Sequence, residues 1–180
     1  LAASNLFMGA FVITAVCSRF VFPAISLEGQ SFWIIQTAPI SVRDYLRAKF
    51  LSWLAPITLL AAAIFTAGAL IAGAELKIAV LNALFSCILS YGIVGLAVGM
   101  GAVFANFDWE HPTQLSASFG SLIFMLASTA LILLSLVPAG IPIVLRALQD
   151  SGTELSPLQW WSSAGLGAAL LIWLNGKAAL

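Results

Sequence analysis

The sequence predicts an all-α, polytopic transmembrane helical bundle of about five spanning helices plus a cytoplasmic amphipathic segment, and three observations predict it. Hydrophobic residues make up 62% of the chain and charged residues 8%, where a soluble domain carries about 25% charged residues. The apolar residues fall in long charge-free runs rather than in the half-apolar periodicity of an amphipathic helix. Four of the seven Lys and Arg residues, Arg19, Arg43, Arg47 and Lys49, gather in the single stretch 18–50. Such a chain cannot cover itself with a polar surface, so most of it must be solvated by lipid.

A helix needs about 20 apolar residues to cross the hydrocarbon core of a bilayer. Charge-free stretches of that order lie at roughly 51–73, 78–104, 119–145 and 159–176, with a shorter one at 2–17. The short one ends at Cys17-Ser18-Arg19 and, with Leu1 in place of a methionine, reads as a helix cut by the start of the chain; no basic leader or A-x-A pattern marks a signal peptide. Basic residues favour the cytoplasmic side. That rule puts 18–50 inside, the turn around Glu75 and Lys77 outside, 105–118 inside, 146–158 outside and the C-terminus inside. Segment 18–50 is still rich in Phe22, Leu27, Phe32, Trp33, Ile34 and Ile35, which suits a stretch lying at the membrane surface with Trp33 and Tyr45 at headgroup level. Within it Pro39 ends one short helix, and Ser41 begins another by capping its amides while Asp44 answers three residues on.

The spans themselves are chemically plain. None of the five contains Asp, Glu, Lys, Arg or His, which speaks against a proton-driven carrier. Pro138-Ala139-Gly140-Ile141-Pro142 is expected to unwind only the last turn of the 119–145 span. Asn82, Ser86 and Ser90 recur every four residues, Gly95 and Gly99 form a G-x-x-x-G pair, and Ser121, Ser128 and Ser135 recur every seven with Met125 and Ile132 on the same face; these read as helix-packing seams. Cys17 and Cys87 lie in apolar runs without a C-x-x-C partner and read as packing residues. Asp108, Glu110 and His111 form the one cluster resembling metal ligands, but D-x-E-H is not a ligand spacing and Pro112 interrupts any helix, so no metal is assigned. Zero net charge and the lack of a long basic cluster argue against nucleic acid as a partner. No G-x-x-x-x-G-K-S/T, H-E-x-x-H or G-x-S-x-G occurs, so no catalytic residue is assigned and any ATP the protein uses is expected on another chain.

The run Arg19-Phe20-Val21-Phe22-Pro23 through Glu28, Phe32-Trp33, Ala38-Pro39-Ile40-Ser41 and Lys49-Phe50 resembles the permease (transmembrane) subunits of type 2 ABC exporters. In that family an acidic residue, an F-W-like pair, an A-P-[LIV]-S turn and a lysine at the next span recur in this order. A second stretch, from Gly99-Met100-Gly101-Ala102-Val103-Phe104 through Phe107-Asp108-Trp109-Glu110-His111-Pro112, is similar to the family's G-x-G-A-x-F-P-x-F-x-x-E-N-P pattern, with Ala105 and His111 departing from it. The resemblance implies the C-terminal part of a longer, multi-pass permease of the bacterial inner (plasma) membrane. It implies that the chain itself holds no cofactor, that ATP and Mg sit on a separate ATP-binding cassette subunit, and that a second permease copy or the N-terminal half completes the bundle within the lipid bilayer. Glu28, Phe32, Trp33, Pro39, Ser41, Arg43 and Lys49 are then the partner-coupling residues of a coupling helix. The residues alone equally allow an interfacial anchor. A membrane-embedded lipid-modifying enzyme and a scaffold or assembly protein are the alternative functions.

Overall fold

The computed structural model describes residues 2–73, 76–107, 114–115, 117–150 and 157–179. Among them all regular structure is helical: α1 (Ala2–Phe20), α2 (Phe32–Thr37), α3 (Val42–Ile71), α4 (Leu76–Val103), α5 (Phe119–Asp150) and α6 (Pro157–Ala178), with two short 3-10 turns, Phe22–Ala24 and Ser26–Ser31, between α1 and α2. Among the described residues four segments are long and apolar enough to cross a membrane: Leu6–Gly29, Val42–Ile71, Ala79–Val103 and Phe119–Val137. α6, the last of the five expected spans, is not one of those four.

α4 is the centre of the bundle, touching α1, α3, α5 and α6, while α1 also packs on α3 and α5. Being covered on several sides, it buries residues around most of its circumference, from Ala79 and Phe85 to Ile93, Val94 and Ala97. α3 behaves oppositely. It buries one narrow row, Ile57, Ala61, Phe65 and Ala69, spaced i, i+4, i+8, i+12, and exposes Leu51, Leu59 and Leu70 on the other side. A soluble protein could not leave that ridge bare; hydrocarbon can solvate it.

α1 does not stop at Cys17-Ser18-Arg19 but runs to Phe20. Ser18 fails to end the helix because its hydroxyl donates to the Ala15 carbonyl at 2.9 Å, so the polar side chain is satisfied within the helix. The chain that follows is not a surface segment throughout, because Val21, Phe22, Ala24 and Ile25 belong to the core. Phe22 stacks on Phe124 of α5 with ring centroids 5.8 Å apart. The expected helix at Ser41 and the expected span after it are one continuous helix, α3. Ser41 is its N-cap: its oxygen accepts from the Asp44 amide at 3.2 Å and its hydroxyl donates to the Asp44 carboxylate at 2.6 Å. α5 likewise continues helical through Pro138 and Pro142 to Asp150, so that motif does not end the helix.

Several hydroxyls of the spans are bonded to carbonyls of their own helices, whereas the buried Thr14 hydroxyl of α1 has no partner among the described residues. Ser86 donates to Ala83 O at 2.8 Å, Ser128 to Phe124 O at 2.8 Å and Thr129 to Met125 O at 2.7 Å. Asn82, Ser86, Ser90, Ser121, Ser128 and Ser135 are all buried. Of the G-x-x-x-G pair, Gly95 lies against the backbone of Ala179, whereas Gly99 is exposed with nothing near the position of a Cβ. A polar junction absent from the sequence reading joins three helices. Asn175 of α6 donates to Ser135 Oγ of α5 at 3.2 Å and to Leu171 O at 3.0 Å, and its amide sits on Gly92 of α4.

Candidate functional site

The polar chemistry of the described residues concentrates at one end of the bundle, in an elbow between α1 and α3. The elbow begins where Glu28, in the second 3-10 turn, is followed by Gly29 at φ 54°, ψ −138°. Almost only glycine adopts that backbone conformation. It turns the chain so that Phe32 can start α2. Ala38, before Pro39, is extended (φ −72°, ψ 146°) and ends α2, after which Ser41 caps α3.

These turns bring together residues far apart in sequence. Lys49, two turns into α3, places Nζ 2.5 Å from Glu28 Oε1 and donates to the Ala24 carbonyl at 3.4 Å. Tyr45, one turn earlier, donates its hydroxyl to the same Glu28 oxygen at 3.3 Å, and the Lys49 ammonium lies 5.9 Å from the Tyr45 ring. Glu28 and Lys49 are about three-quarters withdrawn from solvent, with side-chain exposures of 26% and 25%. Phe32 stacks on Phe107 at 4.6 Å and 18°, and meets Tyr45 edge-on at 6.1 Å. The Asn106 amide donates to Ser26 Oγ at 3.1 Å, and the first turn of α5 presses Gly120 against Phe104 and Phe22. The elbow is therefore stitched both to α3 and to the residues that follow α4.

The structure divides the sequence-predicted partner residues. Glu28, Phe32 and Lys49 are engaged within the elbow, and Ser41 is committed to its cap. Trp33, Pro39 and Arg43 are exposed, as are Ile34 and Ile40 beside them. Arg47 forms a loose 4.0 Å pair with Asp44 in which both side chains are well exposed, a geometry that contributes little. Tyr45, Phe107, Ser26 and Asn106 were not predicted as site residues. Tyr45 could have been found from its i, i+4 spacing to Lys49; Phe107 could not, because nothing local to it points at Phe32. The candidate metal cluster Asp108, Glu110 and His111 lies outside the described residues, as does Glu75. No group of three metal-ligating side chains occurs among the described residues.

We expect Gly29→Ala to cost about 1–3 kcal/mol, because a Cβ is strained at this φ, ψ wherever space exists. Thermal unfolding of the purified variant measures it, together with a weakened Glu28–Lys49 contact.

Among the described residues no phosphate cradle is assembled. A phosphate cradle needs consecutive glycine-rich amides opening a helix with a free lysine beside them. The described glycines with positive φ are Gly29, ahead of α2, and Gly73, after α3, and Lys49 is paired with Glu28.

No curated protein and no solved structure is significantly similar to the chain. One family model matches it, over residues 1–175, and its description is “Putative ATP-binding cassette”. That finding corrects the sequence reading: the matched family is described by the ATP-binding cassette, which in name is linked to ATP hydrolysis, and not as an exporter permease. The reading of the chain as a permease subunit, with transport, exporter and coupling helix attached to it, is withdrawn. The physical reason it misled is visible in the elbow, where Glu28, Phe32 and Lys49 serve the local fold, so their order in sequence does not by itself specify an exporter. Nothing among the described residues supports the lipid-modifying enzyme or the scaffold either. The chain belongs to the family described as “Putative ATP-binding cassette”.

Proposed function

We propose that the chain is a membrane-embedded component of an ATP-binding-cassette assembly, and that its elbow is the surface on which an ATP-binding subunit docks. The observation that carries this is the division of labour within the elbow. Glu28, Lys49, Tyr45, Phe32 and Phe107 fix its shape from inside, while Trp33, Ile34, Pro39, Ile40 and Arg43 stand outside it. A preorganised surface with an exposed tryptophan and an exposed arginine has the residue types that dominate binding energy in protein interfaces. ATP and Mg belong on the docked subunit, since this sequence has no phosphate loop. The helices lie in the bilayer as a multi-pass protein of a bacterial inner membrane, with α6 as a fifth span and the basic elbow in the cytoplasm.

A photo-crosslinking residue at position 33 tests the docking. In membranes, it is expected to capture a polypeptide that is itself labelled by azido-ATP, while the same residue at position 59, on the exposed ridge of α3, is not. Trp33→Ala and Arg43→Ala should each lower the yield several-fold from a crosslinker at position 40. Azido-ATP labelling of this chain itself, or equal capture from positions 33 and 59, would sink the reading. Sidedness is checked by a membrane-impermeant maleimide, which should reach Val42→Cys and Ala72→Cys from opposite faces of the membrane.

A further inference from the structure

Between α1 and α5 runs a cleft of about 390 Å³, walled by Phe11 and Thr14 on one side and by Phe119, Leu122, Leu126 and Thr129 on the other. From Phe119 to Thr129 it extends about 15 Å along α5 at 1.5 Å per residue, the direction an acyl chain takes in a bilayer. Both walls belong to segments long and apolar enough to cross a membrane, and Phe11, Phe119, Leu122 and Leu126 are exposed. Thr129 gives its hydroxyl to Met125 O, which leaves that wall without a free donor.

The charge at one end of the cleft is what selects the occupant. Phe22 touches both Gly120 and Phe124, so the C-terminal end of α1 and the N-terminal end of α5 lie side by side. Arg19 is in that last turn of α1, exposed, and two steps along the i, i+4 row that runs from Phe11 through Ala15. It makes no ion pair among the described residues, and neither α1 nor the first turn of α5 carries an acidic residue. A planar guanidinium at the end of an apolar trough matches a phosphodiester attached to a hydrocarbon chain.

We propose that this cleft is a specific phospholipid site, with one acyl chain lying between α1 and α5 and the lipid phosphate on Arg19. The site rests on the membrane embedding proposed above and is independent of what docks on the elbow. The test reconstitutes the full chain in vesicles of phosphatidylethanolamine and phosphatidylglycerol containing a phosphatidylglycerol with a diazirine in its acyl chain, followed by irradiation and peptide mapping. Label in residues 119–129 is expected to exceed that on the exposed α3 ridge around Leu59 several-fold. Arg19→Gln, and separately Leu126→Trp, which fills the trough, should each bring it down to the α3 level while leaving the α3 label unchanged. Equal labelling of the two places overturns the lipid site but not the embedding, whereas an unlabelled α3 overturns both. Cleft labelling indifferent to Arg19→Gln overturns the phosphate contact, and an oxidised dimer of Leu122→Cys in the same vesicles assigns the cleft to a second copy and overturns the proposal.

Discussion

Replacing Lys49 by methionine is expected to cost about 2 kcal/mol of stability and to loosen the elbow around Glu28. An exposed ion pair contributes about 0–1 kcal/mol, and removing one partner of a fully buried pair costs about 3–5 kcal/mol. Side-chain exposures of 25% and 26% place this pair between those limits. The loss comes mainly from the carboxylate left behind: without Lys49, Glu28 keeps, among the described residues, the Tyr45 hydroxyl at 3.3 Å, and the methionine cannot donate to Ala24 O. Glu28→Gln should cost less, about 1 kcal/mol, because the amide oxygen can still accept from both Lys49 and Tyr45. The double variant should be less destabilised than the sum of the two by about 1 kcal/mol. Arg47→Ala is the control, expected to change stability by about 0.5 kcal/mol or less, since its contact with Asp44 is long and exposed. Thermal unfolding of the four purified variants in one detergent measures the set. Additive losses at positions 28 and 49 would show that the contact contributes nothing.

The helical character of the chain and its segments long and apolar enough to cross a membrane were legible because they depend on composition and run length alone, which need no knowledge of neighbours. The start of α3 was legible for a similar reason: Ser41 and Asp44 act within one turn. Failures arose where a local polar residue was read without its partner. Ser18 looked like a helix end, yet a serine that donates to the carbonyl three residues back can remain in a helix. Val21, Phe22 and Ile25 looked like a surface segment because they follow Arg19, yet α4 and α5 cover them. The serine seams were readable as a pattern, but Asn175, which joins α4, α5 and α6, has no periodic companion to announce it.

The elbow was partly legible in the same sense. Its residues Glu28, Phe32 and Lys49 stood out by type, but sequence order could not distinguish side chains that build the surface from those that present it. That distinction depends on a 2.5 Å contact across 21 positions of chain and on Phe107, from beyond α4. It is also why the same residues suggested an exporter permease. Motif order preserves which residues are present while losing what each one touches.

Gly101 and Gly99 differ in the opposite sense to their spacing, which marks Gly99 as the packing glycine, whereas the close approach is at Gly101. Both are glycines near the C-terminal end of α4, two residues apart. A Cβ on Gly101 would fall on the carbonyl oxygen of Phe22. That oxygen is backbone, and its residue is held in place by the Phe22–Phe124 stack, so it has no rotamer by which to retreat. Gly101→Ala is therefore expected to cost about 3 kcal/mol, the upper end of what overpacking usually costs, and Gly101→Val more. A Cβ on Gly99 meets nothing within 4 Å. There alanine removes a helix-interior glycine and should be neutral or stabilising by up to about 1 kcal/mol. Melting temperatures of the two alanine variants should move apart, with Gly101→Ala the lower. Because Phe22 leads directly into the turn bearing Glu28, Gly101→Ala should also reduce capture by a crosslinker at position 33, while Gly99→Ala leaves it unchanged. Equal melting of the two variants would mean that α4 does not press on the Phe22 turn, and the elbow would lose the support that sets its shape.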